Sequence, residues 1–109
     1  MNEKQTILNK IVEIVVECCT LDVNGAPSIT KEEVLGKSRK LNLVMTRAIL
    51  CHVIMSAGYS TETIAILLGR TETGVRNMIK QGHTFLDTSR AYRIAYTDSY
   101  QRCRDAELI

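Results

Sequence analysis

Residues Thr61–Lys80 read TETIAILLGRTETGVRNMIK, and this stretch decides the fold. It has the pattern of a helix-turn-helix, in which the small Ala65 lets two helices approach closely and Gly69 permits a tight turn four residues later. The apolar residues spaced to hold the two helices together are Ile64, Leu68, Val75 and Met78. The stretch therefore predicts two short helices joined by a tight turn.

The rest of the sequence has the same helical periodicity. Apolar residues recur at spacings of three and four, and almost nothing alternates with a period of two. The chain is therefore predicted to be all-α, with five to six helices built around the helix-turn-helix. The predicted helices are Glu3–Cys19, Lys31–Leu35, Leu43–Ala57, one after Ser60 that ends at about Leu68, one after Thr71 that ends at about Gln81, and Thr88–Asp105.

Capping residues and glycines mark the ends of these helices. Thr30 and Glu33 have the spacing of a capping box, and Asn42 is placed to cap the long central helix. Gly36 can end the short helix in the left-handed conformation, and Gly82 is expected to break the helix that follows Thr71. The main predicted loop, Leu21–Ser28, holds Asn24, Gly25 and Pro27.

These patterns divide the chain into three parts. Residues 1–28 form an amphipathic helix and the main loop, residues 29–82 form the helix-turn-helix core, and residues 83–109 form a C-terminal helix. At 109 residues and 45% hydrophobic composition, the chain is long enough to cover one hydrophobic core and too short for two. The sequence therefore predicts one globular domain.

Composition and missing motifs exclude several classes of function. No uncharged apolar run is long enough to span a membrane and no signal peptide is recognised, which predicts a cytoplasmic protein with no membrane partner. The patterns GxxxxGK and GxGxxG are absent, so no nucleotide is expected as a ligand. No nucleophile or acid–base constellation stands out, and the chain is predicted to be no enzyme and to hold no cofactor.

The cysteines and histidines give no recognisable metal pattern. The four cysteines are Cys18, Cys19, Cys51 and Cys103, and they form no CxxC pair. His52 follows Cys51 directly, and adjacent helical residues point in different directions, while His83 has no cysteine or histidine within four positions. No metal site is therefore predicted, and the cysteines are interpreted as buried thiols.

Positive charge is concentrated in the middle of the chain. Residues Val34–Gly82 hold seven basic and two acidic residues, a net charge of +5, whereas the first 33 residues have a net charge of −3. A positive middle is the electrostatic footprint of a surface that faces phosphates. Double-stranded DNA is therefore the predicted partner, and a solvated helical face is the alternative interpretation of the same charges.

The second helix of a helix-turn-helix normally enters the major groove with its N-terminal turn and outer face. The side chains presented there are Thr71, Glu72, Thr73, Arg76, Asn77 and Lys80. Arg76 has the donors to read guanine, Asn77 can pair with an adenine edge, and Glu72 can accept from cytosine. The Thr73 methyl group suits thymine, whereas Lys80 suits a phosphate.

Two motifs, LGKSRKLN (Leu35–Asn42) and LLGRTETGV (Leu67–Val75), resemble the C-terminal DNA-binding domain of the bacterial chromosomal replication initiator DnaA. In that family a basic loop of the form GKSR precedes a long helix with an arginine near its start, and a helix-turn-helix ends in GRDHTTV. The motifs stand here in the family's order and spacing, over about Ile29–Gly82. The resemblance implies an all-α fold like that of the DnaA C-terminal domain and the Trp repressor, with a role in replication initiation or transcription regulation.

The resemblance also implies roles for individual residues. The basic loop, which is Lys37, Ser38, Arg39 and Lys40, would hold phosphates together with Arg70, and Arg47 would read the minor groove. Where the family has Asp-His-Thr-Thr, this chain has Thr71, Glu72, Thr73 and Gly74, so a different target sequence is expected. An acid at position 72 lowers affinity unless it accepts from cytosine or pairs with Arg76.

Two further alternatives remain open at the level of sequence. The helical scaffold can serve as a protein–protein interaction module that has lost DNA binding, an interpretation favoured by Glu72 and by the acidic first helix. The first helix is also apolar on a second side, at Val12, Val16 and Cys19, which predicts a homodimer through this helix. The DnaA domain itself reads DNA as a monomer, so the oligomeric state stays undecided.

Overall fold

The computed structural model describes residues 2–19 and 29–109, which form six helices and no strand. The helices are α1 (Glu3–Cys19), α2 (Lys31–Val34), α3 (Leu41–Ser56), α4 (Thr61–Leu68), α5 (Glu72–Thr88) and α6 (Arg90–Asp105). The all-α prediction is confirmed, and α1 has the predicted bounds. The predicted loop with Asn24, Gly25 and Pro27 lies outside the described residues.

Helix α3 is the centre of the fold. Its sequence is apolar on all sides, and the structure covers it with α1, α5 and α6. Leu50, Val53 and Ile54 are completely buried, and burial of one such side chain contributes about 1.5 to 3 kcal/mol to stability. A helix without a polar face is stable only inside such a bundle, which is why the other helices are arranged around it.

Helix α1 packs against both α3 and α6. Its buried side chains are Leu8, Ile11, Val12, Val15 and Cys18. Val16 and Cys19 are partly buried against the same core. The second apolar side of α1, on which the homodimer prediction depended, is therefore partly covered by the chain itself, and the homodimer stays a prediction.

Three predicted caps are present. Thr30 accepts from the amide of Glu33, whose carboxylate accepts in return from the Thr30 amide at 3.0 Å. Ser60 accepts from the amide of Thr63 at 3.2 Å, and Thr71 accepts from the amide of Gly74 at 3.0 Å. These bonds satisfy amides that the first helical turn leaves without partners, and so fix where α2, α4 and α5 begin.

The boundaries around the basic loop differ from the prediction. Helix α3 begins at Leu41, because the carbonyl of Lys40 already accepts from the amides of Leu43 and Val44. Asn42 is thus inside the helix and is not its N-cap, although its side-chain oxygen accepts from the amide of Leu43 at 2.9 Å. Gly36 does not adopt the left-handed conformation: its amide donates to the Glu33 carbonyl, and a Cβ there would lie 3.2 Å from the carbonyl oxygen of Glu32.

The prediction that Gly82 ends a helix is wrong. Helix α5 continues through Gly82 to Thr88, so the boundary expected after residue 82 falls inside a helix. A Cβ at Gly82 would lie 2.8 Å from both His52 Nε2 and the Tyr92 hydroxyl oxygen. Gly82 therefore allows α5 to approach α3 and α6 closely. Helix α6 then begins at Arg90, two residues later than predicted, where Ser89 accepts from the amide of Tyr92.

Candidate nucleic-acid interface

Helices α4 and α5 are the two helices, or arms, of the predicted helix-turn-helix, and the short turn Gly69–Thr71 joins them. Gly69 has φ of +62°, a left-handed conformation that glycine adopts without strain. Within the turn, the amide of Arg70 donates to the Ala65 carbonyl at 2.9 Å and so closes the end of α4. The side chains packed between the arms include Ile64, Ala65, Leu68 and Val75, all buried. The predicted apolar contacts of this motif are therefore present, and Met78 is partly buried beside them.

The side chains predicted to face DNA from the second helix, including the phosphate contact Lys80, lie on the exposed part of α5 and its cap. Those exposed to solvent are Thr71, Glu72, Thr73, Arg76, Asn77 and Lys80. Val75, between Thr73 and Arg76, points into the core and is completely buried. One side of the N-terminal half of α5 is thus held by packing, and the side with polar residues is free to contact a ligand.

Glu72 already has partners within the chain. Its carboxylate accepts from the Thr61 hydroxyl at 2.9 Å, which links the first turns of α4 and α5. The same oxygen lies 3.8 Å from an Arg76 guanidinium nitrogen, an exposed ion pair one helical turn apart. Of the two roles left open for this acid, pairing with Arg76 is the one that the free chain adopts.

The basic loop and the turn of the helix-turn-helix are joined by two hydrogen bonds. Lys37 Nζ donates to the carbonyl of Gly69 at 2.9 Å, and the Arg70 guanidinium donates to the carbonyl of Gly36 at 2.9 Å. Each segment thus contributes one cation and one carbonyl. Sequence reasoning missed this pairing, because the two segments are more than thirty residues apart.

Arg47 is not placed where the family resemblance put it. It is only 3% exposed, and its guanidinium donates to four backbone carbonyls at 2.5 to 3.0 Å. These carbonyls belong to Glu33, Val34, Gly36 and Ser38. Burial, and then the neighbouring charge of Arg70, lower the pKa of Arg47. Arg47 therefore fixes the chain between α2 and α3, and the expectation that it reaches a minor groove is corrected.

A cationic cleft of about 310 Å³ lies between the basic loop and α5. Its lining residues are Lys37, Arg39, Val44, Arg47, Arg70, Met78 and Gln81. Among the described side chains, no carboxylate forms an ion pair with any of the four cations, and Arg70 Nε is buried without a hydrogen-bond partner. Converging positive charges without carboxylate partners favour an anion such as a phosphate group.

The buried thiols and the possible metal ligands of the described residues were the other candidates for a site. Burial raises the pKa of the thiols of Cys19 and Cys103 to about 11 and that of Cys51 to about 12, so these cysteines are protonated and poor nucleophiles at neutral pH. In residues 2–19 and 29–109, no three histidine, cysteine or acidic side chains are grouped closely enough to hold a metal ion.

Comparison of the chain with protein-family models, with curated proteins and with solved structures finds no match. Of the helices that the structure describes, none has the length and apolar character needed to cross a membrane. The functional assignment therefore depends on the geometry of the helix-turn-helix, the basic loop and the cationic cleft.

Proposed function

We propose that this chain is a sequence-specific double-stranded DNA-binding protein, with the N-terminal half of α5 in the major groove and the basic loop on the phosphate backbone. The observation that carries the proposal is the cationic cleft. Its four cations lack carboxylate partners in the described part of the chain, and it is bounded on one side by α5 itself. A phosphate in this cleft would hold α5 against the groove beside it.

The resemblance to the DnaA C-terminal domain supports the same assignment, since its basic loop and helix-turn-helix correspond to the two segments that border the cleft. A role in replication initiation or in transcription regulation belongs to this proposal. The exposed readers Arg76 and Asn77 are suited to guanine and adenine, respectively. Because Glu72 pairs with Arg76 in the free chain, Arg76 must exchange this ion pair for a base contact on binding.

A protein–protein interaction module is the second candidate. The observation that favours it is Glu72, whose carboxylate lies on the face proposed for DNA and balances the charge of Arg76. An acid that already has two partners within the chain would remain in place at an interface of mixed charge. The two candidates differ in how strongly binding depends on salt, because only DNA releases condensed counterions.

The test is a fluorescence-anisotropy titration of a labelled mixed-sequence duplex at several salt concentrations between about 50 and 200 mM. About five phosphate contacts give a slope of log affinity against log salt of roughly −4 to −5. Binding with this slope supports the proposal and justifies selection of the preferred sequence from a random pool. No binding at the lowest salt overturns it and favours a protein partner.

Two matched double variants locate the surface. Arg39→Gln with Lys40→Gln removes two exposed charges of the basic loop, whereas Arg90→Gln with Arg104→Gln removes two exposed charges from α6, outside the cationic cleft. The first pair is expected to lower affinity for all duplexes and to make the salt slope about two units shallower, since two phosphate contacts are lost. Equal losses in both pairs would mean that binding follows net charge and not this surface.

A further inference from the structure

Leu41 is an exposed apolar side chain directly beside the cationic residues. It is the first residue of α3, it follows Arg39 and Lys40 in the chain, and it is 62% exposed. The other large apolar side chains that are exposed in the described residues are Met55, Ile66 and Ile94. Leu41 differs from these three because two exposed basic residues precede it directly.

Leu41 lies about one helical turn before Val44, a residue that lines the cationic cleft. Leu41 and Val44 are three residues apart in one helix, and side chains at this spacing lie on the same face one turn apart. Val44 lines the cleft, as does Arg39 on the other side of Leu41 in sequence. A phosphate held in the cleft would therefore bring the sugar and base edges of the same nucleotides towards Leu41.

Arg47 is unavailable for a groove because its guanidinium is bound to four backbone carbonyls. Proteins that use the minor groove often insert an apolar side chain between base steps, flanked by basic residues that hold the phosphates on either side. Leu41 with Arg39 and Lys40 has this composition. The exposed apolar side chain of Leu41 would be buried between bases if a base step opened.

We propose that Leu41 is a wedge that enters the minor groove and kinks the duplex, while Arg39 and Lys40 hold the adjacent phosphates. This inference rests on the proposed function, because it assumes that the cationic cleft binds duplex DNA. Flexible pyrimidine–purine steps such as TpA open more easily than stiff A-tracts. The wedge therefore also predicts a preference for a TpA step next to the bases that α5 reads.

The test measures bending and affinity together. Duplexes of about 30 base pairs, labelled at both ends for energy transfer, carry either a central TpA step or an A-tract. Wild-type protein is expected to shorten the end-to-end distance of the TpA duplex and to bind it about tenfold more tightly than the A-tract duplex. Leu41→Ala is expected to lose both effects and to keep the salt slope.

Ile94→Ala is the matched control, since Ile94 is a half-exposed apolar residue on α6 and is outside the cleft. It should bend and bind DNA as the wild type does, and thermal melting shows that both variants are folded. Unchanged bending and TpA preference in Leu41→Ala would overturn the wedge and leave DNA binding in place. Failure of the wild type to bind either duplex would overturn both proposals.

Discussion

Gly82 lies inside α5 at the point where this helix passes α3 and α6. A methyl group there would meet His52 and Tyr92, each at 2.8 Å. Neither neighbour can move away easily, because His52 is in edge contact with the rings of His83 and Tyr96, and Tyr92 is 2% exposed. The absence of a side chain at Gly82 is therefore a requirement of the packing.

Gly82→Ala should lower the free energy of unfolding by about 1 to 3 kcal/mol, although alanine favours helix, because the added methyl group overpacks the contact. Urea denaturation measures this loss.

Tyr92→Phe alone should leave stability unchanged or raise it, since the Tyr92 hydroxyl is buried without a hydrogen-bond partner. Tyr92→Phe also removes one of the two atoms that the methyl group meets, so Gly82→Ala should cost less in that background. Wild-type stability of Gly82→Ala would contradict this account of the glycine.

At the scale of elements, α2, the basic loop and α3 are held together by one side chain. The Arg47 guanidinium binds carbonyls at both ends of the segment between α2 and α3. Two of these carbonyls, those of Glu33 and Val34, end α2, and the other two, those of Gly36 and Ser38, lie in the loop that follows. The position of the basic loop, and with it the shape of the cationic cleft, therefore depends on Arg47.

Arg47→Lys should lower the free energy of unfolding by about 2 kcal/mol or more, because an ammonium group cannot reproduce the planar set of donors and leaves buried carbonyls without partners. Arg76→Lys, at an exposed position of α5, is the control and should change stability by less than about 0.5 kcal/mol. Chemical denaturation of both variants measures the difference. If Arg47→Lys kept full stability and lost only DNA affinity, Arg47 would be a DNA contact after all.

Local signals in the sequence predicted the elements well. The caps Ser60 and Thr71 and the turn at Gly69 act within a few residues, so their patterns indicate where α4 and α5 begin and end. The errors at Gly82 and Arg47 have a different origin. The neighbours of Gly82 lie on α3 and α6, and the carbonyls that Arg47 binds are up to fourteen residues away in sequence. The local sequence pattern around these two residues therefore does not reveal their partners.

For the candidate site, the exposed positions on α5 and the basic loop followed from the sequence pattern. The hydrogen bonds that join Lys37 to Gly69 and Arg70 to Gly36 did not, because they depend on how two distant segments meet. The exposure of Leu41 was not predicted either. Helix α3 begins at Leu41, two residues before the predicted start at Leu43, so Leu41 lies in the first turn of the helix.

At the scale of the whole molecule, His52 links three helices and makes stability depend on pH. Its Nε2 lies 3.2 Å from the Ile79 carbonyl of α5, its own carbonyl accepts from the Tyr100 hydroxyl of α6, and its ring contacts His83 and Tyr96. Burial is the main cause of its lowered pKa, and the charge of His83 lowers it further against the hydrogen bond to Ile79. The folded chain thus holds His52 in its neutral form.

The unfolded chain takes up a proton at His52 near the ordinary value of about pH 6.5, before the folded chain does. The contribution of His52 to the free energy of unfolding is therefore fully present above that pH. It decreases as the pH falls below that value, by at most about 1.4 kcal/mol per pH unit. Thermal melts between about pH 8 and pH 5 should show the decline. His52→Gln should flatten it, and an equally steep decline in this variant would assign it to other groups.

The two hydrogen bonds between the basic loop and the turn of the helix-turn-helix fix the distance between these segments. Because Lys37 and Arg70 each bind the other segment's backbone, the spacing between the basic loop and the N-terminal half of α5 is set in the free chain. If the chain binds DNA as proposed, a duplex whose groove width does not match that spacing either deforms or breaks these two hydrogen bonds. Discrimination between targets would then include the stiffness of the DNA as well as the identity of its bases.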